Sequence, residues 1–213
     1  MNPSDEPLDA NSQAILEAVI AEIFARGDSI PFSLVDIGCG EGHLLKVLKD
    51  KCDAQLAGVG WNARIPTGVK AYNHIDLSGA GWADCLAGLQ FDWVVSTEVL
   101  EHLVNPYQFF IEIRRLISDT GRLLLTFPNV HNWRSILGYA IGGRFSGFFG
   151  PNFNSGHPLY DQHIFIPNHH LIRYLLLLTG FQIEIIKWVN GNSRLTAQTT
   201  LLIAYPVEIP RIS

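Results

Sequence analysis

Charge is scarce in this chain: only 16% of its 213 residues are charged, and the balance is acidic, with a formal net charge of −5. A protein that tracks phosphates carries a basic face. No basic run occurs here, so nucleic acid is excluded as the expected partner. Cysteine is rare as well. Cys39, Cys52 and Cys85 form no CxxC pair and no metal spacing, which argues against a disulfide scaffold and a structural zinc site and points to reduced thiols in the cytoplasm. The apolar runs are too short to span a bilayer. Met1–Asp9 lacks the basic start and apolar stretch of a secretory signal. No internal repeat is visible. Hydrophobic residues, by contrast, make up 47% of the chain, enough for one full core. We expect a single domain over residues 11–213 behind a flexible tail over residues 1–10.

What the chain does contain is alternation. Ile15, Val19, Ile23 and Phe24 share one face of a helix that starts at Asn11 or Ser12 and ends at Gly27. Apolar strands are predicted over Ser33–Ile37, Gln55–Val59, Ala71–Ile75, Phe91–Ser96, Arg122–Phe127, Phe181–Val189 and Thr199–Tyr205. Helices fall between them: His43–Asp50, one capped by Asn105 with Pro106 in its first turn and ended by Gly121, and one capped by Asn168 and ended by Gly180. Continuous apolar strands alternating with helices indicate a mostly parallel sheet covered on both faces. The last two strands are joined only by Asn190–Gln198, too short for a crossover helix, so they pair antiparallel. The expected fold is therefore α/β and Rossmann-like: a seven-stranded, mostly parallel sheet with an antiparallel C-terminal hairpin. Residues 128–162, rich in Gly, Pro and aromatics, give no simple element.

The strongest motif is Leu34-Val35-Asp36-Ile37-Gly38-Cys39-Gly40-Glu41-Gly42. A strand enters a turn with glycines at alternate positions, and a helix follows. In a doubly wound sheet, ligands sit beyond the carboxyl ends of the strands, and glycine lets the backbone approach them closely. Asp36 can fix the turn and accept hydrogen bonds from a ligand's ammonium group. The dinucleotide fingerprint GxGxxG would require Gly where His43 stands, and the phosphate loop GxxxxGK[ST] is absent.

The nonapeptide resembles motif I of the class I S-adenosylmethionine-dependent methyltransferases. Phe91–Leu103 is similar to the fourth-strand segment of the ubiquinone-type and related small-molecule enzymes, and Gly121–Asn129 to their fifth strand. His163-Ile164-Phe165-Ile166 with Gly180-Phe181 resembles their late segment. The resemblance covers roughly residues 30–205 and implies a small-molecule methyltransferase with S-adenosylmethionine as cofactor. It places Asp36, Gly38, Cys39, Gly40 and Gly42 at the methionine part of the cofactor and Glu98 at the cleft. The family's second strand ends in an acid that holds both ribose hydroxyls; here Gly60 stands in that place. Asn62 is then a neutral substitute and Trp61 a stacking partner for the adenine. Asp76 fits the position that contacts the adenine amino group, or is an ordinary turn aspartate.

Glu98, Glu101 and His102 form ExxEH. Ubiquinone-type enzymes have a similar arrangement, some with a divalent metal, but the same letters occur in metal-free relatives, and we assign no metal ligand. A histidine of near-neutral pKa can take a proton from a hydroxyl or amine as it attacks the methyl group. His102, His131, His157 and His163 are the candidates, each of which also reads as a structural histidine. Closure would bring His157, Tyr160 and His163 toward the methyl group, and His163 is favoured because it begins an ordered segment. Residues 128–162 are read as an aromatic lid over the cleft. The alternatives are a membrane-surface or homodimer contact, or plain core. Phe127-Pro128-Asn129-Val130-His131-Asn132-Trp133-Arg134 and Gly143-Arg144-Phe145 are also similar to the MetW proteins. That second resemblance implies a cofactor-binding partner or regulatory subunit without methyl transfer.

Overall fold

A computed structural model describes residues 7–26, 32–61, 63, 65–148 and 162–208. Helix α1 (Ala10–Arg26) opens the fold, with Ile15, Val19 and Ile23 buried. Its cap is Asp9, whose carboxylate accepts the Asn11 and Ser12 amides at 2.8 and 3.1 Å. The helix thus begins one residue before the expected start. Then follow β1 (Phe32–Ile37), α2 (His43–Lys51), β2 (Ala54–Val59), a short β3 (Lys70–Tyr72) and β4 (Phe91–Thr97). Asn105 accepts the Gln108 amide and caps α3 (Pro106–Leu116). Next come β5 (Ile117–Pro128), α4 (Trp133–Gly142), α5 (His169–Leu178), β6 (Phe181–Val189) and β7 (Thr199–Pro206).

The seven strands form one sheet in the order β3-β2-β1-β4-β5-β7-β6. β1 to β5 pair in parallel, whereas β7 runs antiparallel to both β5 and β6. Successive side chains of a strand point to opposite faces, and this splits the core in two. Val35, Ile37, Val94, Leu123, Leu125 and Phe127 pack against Phe109, Phe110 and Ile113 of α3 and Ile172 and Leu176 of α5. Leu34, Trp93, Val95 and Leu124 pack on the other face against Ile15, Val19 and Ile23 of α1 and Leu44, Leu45 and Leu48 of α2. The carboxyl ends of β1 and β4, adjacent at the centre of the sheet, therefore lie between two helical layers. This is the crevice where a ligand is expected.

Three local expectations are corrected. Gly121 does not end α3. That helix stops at Leu116, and Gly121 sits in an irregularity of the β4–β5 ladder, where the register shifts between Phe91 and Trp93. A Cβ at Gly121 would lie 2.8 Å from the Phe91 carbonyl oxygen, so close backbone approach is what needs glycine there. The third strand covers three residues instead of five. Part of the unreadable stretch is a helix, α4, capped by Asn132 through the Arg134 amide at 2.9 Å. Gly27, Asn62, Phe149, Phe153, His157 and Tyr160 lie outside the described residues.

Candidate functional site

The turn after β1 is built by its glycines. Gly38, Gly40 and Gly42 all have positive φ, at +81°, +48° and +73°. The Gly38 and Cys39 amides both donate to the Val59 carbonyl, at 2.7 and 3.2 Å, which ties the turn to the end of β2. The glycines differ in what surrounds them. A Cβ on Gly38 would stand 2.3 Å from Val99 Cγ2, so the fold itself requires glycine there. A Cβ on Gly40 would meet nothing within 4 Å, so Gly40 borders open space. Open space thus lies beside Gly40, whereas packing against Val99 already demands glycine at Gly38. Gly42 opens α2 in the left-handed conformation. Cys39 is buried, and burial pushes its thiol up, out of reach of thiolate chemistry.

Asp36 lies beneath this turn. It is 3% exposed, its Oδ1 has no hydrogen-bond partner, and burial pushes its carboxyl up to about 7. Across the crevice, Glu98 follows β4 with φ +52°. Its amide donates to both the carbonyl and the hydroxyl of Thr126 at 3.1 Å, which holds this unfavourable conformation. Burial pushes Glu98 up to about 7, and its Oε1 has no partner. Glu101, 1% exposed, is likewise raised well above the usual carboxyl range, by burial and then by the negative charge of Glu98. Uncompensated buried carboxyls are costly and concentrate at functional sites.

Two cavities meet at Glu98. One, of about 210 Å³, is lined by Asp36, Cys39, Thr97 and Glu98 with Ser12 and Leu16 of α1. The other, of about 350 Å³, brings Glu98 together with Asn129, Ser135, Phe148, His163 and Thr199. Its rim is pinned by Asn129 and Asn132, whose side-chain amides donate to carbonyls of Arg194, Thr196 and Ala197 at 2.7–3.1 Å.

The candidate histidines separate into two groups. His102 and His163 meet edge to face with centroids 4.9 Å apart, and His163 reaches the larger cavity. His131 instead packs against His169 at 4.4 Å. His169 contacts the Thr200 hydroxyl at 2.9 Å and is pushed down to about 4, chiefly by burial. His163 and His131 are lowered too, first by burial and then by neighbouring positive charge, His102 for the former and Arg194 for the latter. Both have a buried Nδ1 without a partner. Donor atoms of Glu101, His102 and His163 all lie within 4.8 Å of one another. This set differs from the ExxEH letters, since it takes His163 in place of Glu98.

Beyond the end of β2, Trp61 is half exposed, with its ring edge-on to His74 at 6.0 Å. Asp76 accepts the Ser78 amide at 2.9 Å, a turn contact. Neither Trp61 nor Asp76 lines the two cavities that meet at Glu98. The sequence does not single out Ser12 and Thr97, which line the smaller cavity, Thr126, which holds Glu98, or Asn129 and Asn132, which line the larger cavity and whose spacing at the exit of β5 is the available signal.

A family model of methyltransferase domains matches residues 8–184. No curated protein matches by sequence. The fold resembles magnesium protoporphyrin IX methyltransferase from Synechocystis PCC 6803 with bound S-adenosylhomocysteine (TM-score 0.61, 19% identity, covering 95% of this chain and 90% of that one). It also resembles an S-adenosylmethionine-dependent methyltransferase from Clostridium acetobutylicum ATCC 824 (TM-score 0.65, 9% identity, 94% of each chain). A third likeness is to an S-adenosylmethionine-dependent methyltransferase from Archaeoglobus fulgidus (TM-score 0.59, 16% identity, 89% of this chain and 94% of that one). The chain belongs to the methyltransferase-domain family and has the fold of its S-adenosylmethionine-dependent members.

Proposed function

We propose that the protein binds S-adenosylmethionine over Asp36–Gly42 and transfers its methyl group to a small molecule held beside Glu98 and His163. The observation that carries this reading is the unpartnered carboxyl of Asp36 under a glycine turn whose Gly40 borders open space. Asp36 offers an acceptor for the ammonium group, directly or through water. Gly38, Cys39, Gly40 and Gly42 bring backbone against the methionine part, while Trp61, Asn62 and Asp76 serve the nucleoside end. S-adenosylmethionine supplies an electrophilic methyl group on sulfur.

The chain's own contribution is placement and proton removal. Glu98, fixed by Thr126, borders both cavities and so can orient groups in each. His163 Nδ1 takes the proton from the attacking hydroxyl or amine; burial keeps this ring neutral at pH 7 and ready to accept it. His102 supports His163 from the side, and His131 is a secondary candidate. Ser135 and Phe148, from the described part of the segment over residues 128–162, line the larger cavity and help to exclude water from it.

Mass spectrometry of an acceptor panel incubated with S-adenosylmethionine tests the reading. Methylated product and S-adenosylhomocysteine are expected, without need of a metal. His163→Gln should lower kcat by about 100-fold, the lower end of general-base contributions, with cofactor affinity unchanged. Loss of activity in EDTA, restored by a divalent ion, would instead make Glu101, His102 and His163 metal ligands. Cofactor binding without turnover on any acceptor would favour the second reading, a partner protein similar to MetW. Gly60, standing where the ribose-binding acid is expected, favours that alternative.

Gly60 gives a separate test. Among the described residues, an added Cβ would come no closer than 3.7 Å to any atom outside the adjoining residues, so a side chain has room to leave the backbone there. Gly60→Asp is expected to tighten S-adenosylmethionine binding about tenfold in calorimetry, because one charge-assisted hydrogen bond contributes about 1.5 kcal/mol or more. Unchanged or weaker binding would show that the ribose does not lie at the end of β2.

A further inference from the structure

Helix α4 is inverted. A surface helix normally buries its apolar stripe. Here the buried residue is Ser135, which lines the larger cavity, while Trp133, Ile136, Leu137, Tyr139 and Ile141 face outward. Ile141 is 80% exposed, Tyr139 55% and Trp133 51%. Positions 133, 136, 137 and 141 follow helical spacing, so they form one continuous stripe. The face continues into an open groove of about 720 Å³ lined by Leu137, Ile141, Phe145 and Phe148, with Arg134 and Arg144 at its margins.

Charge separates the occupants this face would fit. The chain carries −5 overall, yet no acidic residue occurs between Asp119 and Asp161, a stretch that contributes Arg134 and Arg144 to this groove. Arg134 and Arg144 are exposed, and the Arg134 guanidinium lies 5.3 Å from the centroid of the Trp133 ring. A symmetric contact with a second copy would set this arginine-bearing face against itself, so like charges would meet. An anionic bilayer suits the face better. Apolar side chains enter the acyl boundary, Trp and Tyr sit at headgroup level, and arginines reach the lipid phosphates. Ten residues span about 15 Å, too short to cross a membrane but sufficient to lie in its surface.

We propose that α4 and its groove dock on an anionic membrane surface. The groove and the larger cavity share Arg134, Ser146, Gly147 and Phe148. Docking therefore sets that cavity at the lipid–water boundary, and the acceptor class becomes an amphiphile whose apolar part lies along α4. The acceptor class rests on the methyltransferase reading; docking does not. Vesicle binding is accordingly measured without cofactor or acceptor, so the two fail separately.

The experiment is flotation of the full chain with vesicles of phosphatidylglycerol and phosphatidylcholine, or of phosphatidylcholine alone, beside analytical ultracentrifugation without lipid. A monomer is expected that floats with the anionic vesicles at least tenfold more than with the neutral ones, and less as salt rises. Ile136→Glu with Ile141→Glu should lose at least tenfold in flotation, with its melting temperature unchanged because both side chains are exposed. No flotation at low salt, or a double variant that floats like the parent, would overturn the proposal. So would a lipid-free dimer that the double variant splits, since this would give the face to a second copy.

Discussion

Gly40→Val is expected to weaken S-adenosylmethionine binding at least 100-fold while leaving the protein folded, and Gly38→Ala should mainly damage the fold. The two glycines stand two residues apart, both with positive φ, but an added side chain meets different surroundings. At Gly40 it projects into open space, so the folded state accepts it at the cost of left-handed backbone strain, about 1–2 kcal/mol. That lowers the melting temperature by only a few degrees in a chain of this size. The same side chain would occupy the space we assign to the cofactor, and a 100-fold loss corresponds to about 2.7 kcal/mol. At Gly38 the new methyl would be 2.3 Å from Val99 Cγ2. Overpacking adds about 1–3 kcal/mol to the strain, and Val99→Ala should relieve part of it, giving a non-additive pair. Calorimetric titration and thermal melting of the four variants check this. Unchanged affinity in a folded Gly40→Val would remove the cofactor from the turn.

The difference between these glycines was not legible in the sequence, although the turn was. Strands β1, β4 and β5 could be read because they are buried on both faces and therefore continuously apolar. The antiparallel end of the sheet followed from the short link between β6 and β7. Helix α4 was missed because periodicity reveals a helix by its inward apolar stripe, and α4 turns that stripe outward. In sequence Gly121 reads as a helix end, because glycine after an apolar run usually is one. Here its role depends on the Phe91 carbonyl, thirty residues earlier, which no local pattern records. The site was legible in the same uneven way. Asp36 and Glu98 stand at strand ends, where ligands are expected. The pairing of His163 with His102, and of His131 with His169, depends on how distant segments fold back. The sequence favours His163 only as the start of an ordered segment, and the cavity beside Glu98 is the geometry that sets it apart from His102 and His131.

Cofactor affinity is expected to rise with pH between about 5.5 and 8, and Asp36 is the residue that makes it do so. Without ligand its carboxyl is buried, unpartnered and pushed up to about 7, so below neutrality it is protonated. Holding an ammonium group requires the ionised form. Binding then releases a proton, and affinity falls by up to tenfold per pH unit below about 7, levelling above it. Stability of the free protein runs the opposite way. The folded value is raised above the ordinary 3.8, so the contribution is fully present below pH 4, is lost as pH rises towards 7, and stays lost beyond. Three pH units correspond to about 4 kcal/mol as an upper figure. Glu98, also raised to about 7, adds in the same direction. Asp36→Asn removes the ionising group while nearly keeping its shape. It should therefore be more stable than the parent protein at pH 8 and indistinguishable from it near pH 4, by thermal melting. At pH 8 it should bind S-adenosylmethionine about 10- to 100-fold more weakly, the loss of one charged hydrogen bond, with a flatter pH dependence. A variant that loses stability at pH 8 while keeping parental affinity would make Asp36 a structural carboxylate. In that case the ammonium group would have to be placed elsewhere in the crevice.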